Sequence, residues 1–65
     1  MHHHAVDVPR AVEAVEEILR RVGRLDEEII FYCRDVLAET WQITDTRIVS
    51  QIIETAAINV GFIEG

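Results

Sequence analysis

At 65 residues the chain has room for one domain, and a domain of this size buries only about 60% of the surface its unfolded chain exposes. Its 49% apolar content exceeds what one small core readily hides, and a single cysteine excludes an internal disulfide, so oligomerisation is the staple that composition leaves. Six arginines, no lysine and twelve carboxylates set a formal charge of −6, opposite to the electrostatic footprint of a non-specific nucleic-acid binder.

No apolar run reaches the roughly 18 residues of a membrane span, and neither a charged-then-apolar leader nor a lipidation motif is present. These features predict a cytoplasmic protein without a membrane partner, its thiol kept reduced. Residues 1–6, with His2, His3 and His4 in succession, read as a disordered, tag-derived terminus, and 7–65 as a single helical domain.

Asp7 is suited to cap a first helix, and Pro9 to its first turn, where a missing N–H costs nothing. From there Val8, Val12, Val15, Leu19 and Val22 recur at alternating steps of four and three, a seam of coiled-coil type widened by Ala11 and Ile18. Glu16 and Glu17 each precede an arginine by four residues. Arg20, Arg21 and Arg24 gather at the negative end of the helix dipole, so a solvated helix terminus explains them better than a phosphate site. Gly23 supplies the left-handed cap.

Asp26 then caps a second helix whose first turn carries Glu27 and Glu28, with Leu25 placed to pack on Ile30 as a staple. A connection this short predicts an antiparallel hairpin of the first two helices. On a helical projection Ile29, Ile30, Cys33, Val36, Leu37, Thr40 and Trp41 share a face roughly 140° wide, while Phe31 and Ala38 form a second apolar patch beyond its Trp41 edge. Only the strip of Glu28, Asp35 and Glu39 is plainly made for water. A helix apolar over so much of its circumference is expected to be central in its domain or shared with another chain.

Thr44 or Asp45 opens the third helix. Its apolar pairs Ile48-Val49, Ile52-Ile53 and Ala56-Ala57 repeat every four residues, a pattern that slants around a helix and favours packing at an angle, with the alanines permitting close approach. Gly61 offers the closing cap, and Phe62 begins a short apolar tail.

Little here points to chemistry. Cys33 falls on the main apolar face, no histidine lies outside the terminus to act as its base, and Arg34 points about 100° away along the helix. The carboxylate pairs Glu13/Glu17 and Asp35/Glu39 occur on wet strips without an accompanying histidine or an oxygen-rich loop, as solvated faces do. Neither a glycine-rich phosphate loop nor a nucleophile elbow is present. The chain also lacks the long middle helix of a histone fold, and no acyl-carrier or ribbon–helix–helix signature can be found in it.

The expectation is therefore an all-α protein: a small three-helix bundle, formed by an antiparallel hairpin and a third crossing helix over 8–22, 26–41 and 45–60, completed by oligomerisation. Its expected core holds Val12, Val15, Leu19 and Val22 from the first helix, Ile29, Ile30, Cys33, Val36 and Leu37 from the second, and Ile48, Ile52, Ile53 and Ala56 from the third. The function expected is non-enzymatic protein interaction, as in adaptors, inhibitors or antitoxin-like regulators, with no cofactor and no metal. Its interface comprises Phe31, Ala38, Trp41 and Phe62 beside an acidic ridge of Asp26, Glu27, Glu28, Asp35 and Glu39, facing a second copy or a protein with a basic surface. The alternative is a helix-turn-helix DNA-binding regulator whose third helix reads with Arg47, Ser50, Gln51 and Asn59. With Arg47 its one basic residue and Glu54 in its middle, that helix has little counterion release to draw on.

Overall fold

A computed structural model describes residues 7–64; the terminus assigned to 1–6 and the final Gly65 lie outside the described residues. Three α-helices account for most of them: α1 (Val8–Val22), α2 (Glu27–Trp41) and α3 (Thr46–Asn59), with no strand among the described residues. Each begins at an aspartate. Asp26 accepts a hydrogen bond from the Ile29 amide at 3.0 Å, Asp45 accepts from those of Arg47 at 2.9 Å and Ile48 at 3.3 Å, and Asp7 accepts more weakly from Arg10 at 3.4 Å. Satisfying the first-turn donors in this way fixes where each helix starts.

The three C-termini differ. Gly23 takes the left-handed conformation (φ 76°) and returns its N–H to the Leu19 carbonyl at 2.8 Å. Beyond α3, Gly61 (φ 88°) and Phe62 donate to Ile58 and Ala57, the paired bonds of a Schellman motif. At the end of α2 no glycine is available, and Gln42 itself adopts φ 54°. Its side-chain amide donates to the Glu39 carbonyl at 3.0 Å, and the amides of Gln42 and Ile43 both turn back on the Leu37 carbonyl. This reversal carries Ile43 into the interior, where it is 3% exposed.

The Asn59 side chain, near the end of α3, donates to Glu16 on α1 at 2.7 Å, and Gly61, Phe62 and Ile63 share a groove with Gly23, Arg24 and Leu25. The C-terminal ends of α1 and α3 therefore lie together, and α2, joined to both by short connections, runs back between the two ends of the molecule. The closest pair is α1 with α3, whereas α2 approaches each more sparingly. Of the two expectations for α2, a central place in the domain or sharing with another chain, this corrects the first. The reason is side-chain size: Ala11 on α1 and Ala56 and Ala57 on α3 are fully buried, and small residues let two helix axes approach.

The same close packing moves the core. Val15, Leu19, Ile29, Cys33, Leu37, Ile52, Ile53 and Ala56 are buried as expected, joined by Ala11, Ile43, Val49 and Ala57. Val12, Ile30, Val36 and Ile48 are only partly buried, and Val22, at the frayed end of its seam, is 40% exposed. The buried stripe of α1 is Ala11-Val15-Leu19, rotated from the predicted valine seam toward the alanine that allows contact with α3. From α2 only Ile29, Cys33 and Leu37 are buried, a stripe of every fourth residue.

Candidate functional site

Because α2 encloses so narrow a stripe, its outer side retains apolar surface. Phe31 is 56% exposed and Tyr32 53%, and at about 100° per residue they straddle the strip that carries Glu28, Asp35 and Glu39. The Arg34 guanidinium lies over the Phe31 ring, 5.7 Å from its centroid. Ala38, two turns on from Phe31, is partly buried and lines a shallow pocket with Arg34, Asp35, Ile43, Thr44, Thr46 and Val49.

The four residues expected to form one interface are thus divided. Phe31 and Ala38 share the outer side of α2. Trp41 packs against the core, and its indole Nε1 is buried without a hydrogen-bond partner among the described residues. Phe62, 36% exposed, belongs to the groove beside Gly23, Arg24 and Leu25. Sequence alone assigns Tyr32 no role, although its position four residues after Glu28 and three before Asp35 places it at the edge of the wet strip.

The acidic ridge is divided too. Arg24 reaches from the α1–α2 connection to pair with Asp26 and with Glu28, each at 3.0 Å. Glu27, Asp35 and Glu39 have no ion-pair partner among the described residues. On α1, by contrast, Arg20 pairs with Glu16 at 3.5 Å and Arg21 with Glu17 at 3.2 Å. Charge is balanced on α1, with three arginines to three glutamates, and on α3, with Arg47 to Glu54, while α2 sets four carboxylates against Arg34.

Cys33 is fully buried, and burial pushes its thiol pKa up, which suits packing and opposes nucleophilic use. Among the described residues no three His, Cys, Asp or Glu side chains are grouped to hold a metal ion. On α3, Arg47, Ser50 and Gln51 are exposed, whereas the Asn59 amide is engaged by Glu16. No helix among the described residues is long and apolar enough to cross a membrane. No protein-family model matches the chain, and no characterised protein or solved structure is detectably similar to it.

Proposed function

We propose that the chain is a non-enzymatic protein-interaction module, of the adaptor, inhibitor or antitoxin-like kind, that docks through the outer side of α2. The observation that supports this reading is the coincidence, on one helix, of two half-exposed aromatics and three carboxylates without ion-pair partners among the described residues. Single exposed apolar residues are ordinary on any surface. Phe31 and Tyr32 next to unneutralised charge resemble instead an aromatic anchor with a polar rim, the usual anatomy of a docking surface.

The test compares wild-type protein with Phe31→Ser, combining sedimentation equilibrium at about 100 μM, where a micromolar dimer is mostly formed, with purification of the untagged protein from its own cells. The expected result is an association, with itself or with a co-purifying protein, that Phe31→Ser removes without altering thermal stability. A monomer at that concentration, together with a co-purification profile unchanged by the substitution, refutes the reading. The DNA-binding alternative has less support, since Asn59 is tied to α1 and Glu54 offsets Arg47. Its signature in a gel shift is duplex retarded at low salt and released by added salt.

A further inference from the structure

The docking reading leaves open what occupies the outer side of α2, and the inference below rests on that reading. We infer that the occupant is a cationic segment of a different protein, one presenting guanidinium or ammonium groups beside an apolar anchor, and that a second copy of this acidic chain is the poorer complement in charge.

Consider first what a second copy offers. In a two-fold contact the same surface meets itself, so two helices that each carry four carboxylates against one arginine are brought together, a net like-charge arrangement that interfaces use to reject partners. In a head-to-tail contact the carboxylates need cations from elsewhere on the chain, and few are free. Arg10 pairs with Asp7, Arg20 with Glu16, Arg21 with Glu17, and Arg24 with both Asp26 and Glu28. Arg34 already lies on the acidic helix itself. Among the described residues only Arg47 has neither an ion-pair partner nor an aromatic ring beneath it. One arginine does not neutralise Glu27, Asp35 and Glu39, so the described residues do not supply the complement, and another protein does.

The Phe31 ring indicates what chemistry that complement carries. Its face already accepts a guanidinium, that of Arg34, at 5.7 Å. The attraction of a cation to an aromatic ring at so exposed a site is weak, and a partner arginine held in addition by Asp35, one turn on from Phe31, competes favourably for the same ring face. Arg34 is then a placeholder, occupying the ring in the free protein and cancelling one of the four negative charges of α2. Its removal frees the ring and deepens the local negative potential, so it strengthens binding. A purely structural role for Arg34 predicts no such gain.

The experiment follows the backbone amides of the full chain by NMR during titration with two synthetic probes. One is a short helical leucine–alanine peptide with arginines at four-residue spacing; the other is the same peptide with glutamate at those positions. A dilution series without peptide accompanies them. The arginine peptide is expected to shift the amides around Phe31, Tyr32, Asp35 and Glu39 saturably, and to bind about tenfold more weakly when salt is raised from about 50 to about 300 mM, while the glutamate peptide leaves them unmoved. Arg34→Ala should tighten the arginine peptide by about threefold, Phe31→Ser should abolish its binding, and joint Asp35→Asn and Glu39→Gln substitution should weaken it by about tenfold.

Equal response to both peptides, no response of α2 to the arginine peptide, or unchanged or weaker binding by Arg34→Ala overturns the inference. Shifts on α2 that depend on protein concentration without any peptide overturn it as well, but leave the docking reading standing, because the occupant is then a second copy. The docking reading itself falls only through the sedimentation and co-purification results above.

Discussion

Replacing Ile43 by valine tests the packing directly, because it sets a residue in a connecting loop against the large aromatics of α2. Ile43 is 3% exposed and Phe31 56% exposed, so the structure ranks the loop residue as the more important for stability. The substitution deletes one methylene, worth about 0.8 kcal/mol in transfer, and leaves a small void between α2 and α3. Ile-to-Val changes in enclosed sites cost about 0.5–1.5 kcal/mol, and about 1 kcal/mol is expected here. For a domain this small, that loss lowers the melting temperature by about 7 °C. Alanine is less informative: it removes about 3 kcal/mol, and a chain of this length holds only about 3–10 kcal/mol in total. Thermal and urea unfolding followed by circular dichroism give the two quantities, with an unchanged denaturant slope showing that only stability has moved. Phe31→Ser, measured alongside, should stay within about 0.5 kcal/mol of wild type. A melting temperature for Ile43→Val within about 2 °C of wild type, or a larger loss from Phe31→Ser, refutes the placement of Ile43 in the core and of Phe31 outside it.

The left-handed positions predict changes of opposite sign. Gly23→Ala should lose about 1 kcal/mol, all of it backbone strain at φ 76°, since an added Cβ meets nothing within 4 Å. Gln42→Gly should gain about 0.5 kcal/mol, because relief of the left-handed strain exceeds the loss of the exposed bond to Glu39 and the added unfolded-state entropy; a melting temperature raised by Gly23→Ala or lowered by Gln42→Gly counts against the cap geometry. Cys33 links stability to alkaline pH. Its thiol pKa is raised by burial, so its contribution is fully present below the unfolded value of about 8.5 and is lost as pH rises from there through the folded value. Urea midpoints should therefore hold level to about pH 8 and fall by pH 10. In Cys33→Ala the midpoint starts lower and that fall is reduced; an equal fall in both proteins contradicts the assignment.

The helix boundaries were legible because they are set locally. Asp26 followed by Glu27 and Glu28, or Gly23 after a run of arginines, states its meaning within one turn of chain. Ile43 was not legible, since nothing around it announces that Gln42 will adopt the left-handed conformation glycine usually takes. Its burial follows from that single backbone angle. The candidate site divides in the same way. The excess of carboxylates on α2 can be counted from sequence. That Arg24 pairs with Asp26 and Glu28 while Asp35 and Glu39 keep no such partner among the described residues depends on the path of the α1–α2 connection.

The choice of helix partners decides the rest. A helix apolar on most sides suggests an element central in its domain or shared with another chain. Ala11, Ala56 and Ala57 instead let α1 and α3 meet first, and the pair they form leaves α2 room to bury only Ile29, Cys33 and Leu37. Trp41 then turns to the core, where its ring area is worth covering even with the indole N–H unpaired among the described residues. Phe31 and Tyr32 remain outside because, at about 100° per residue, they lie about 160° and about 100° around α2 from Cys33, the middle of its buried stripe.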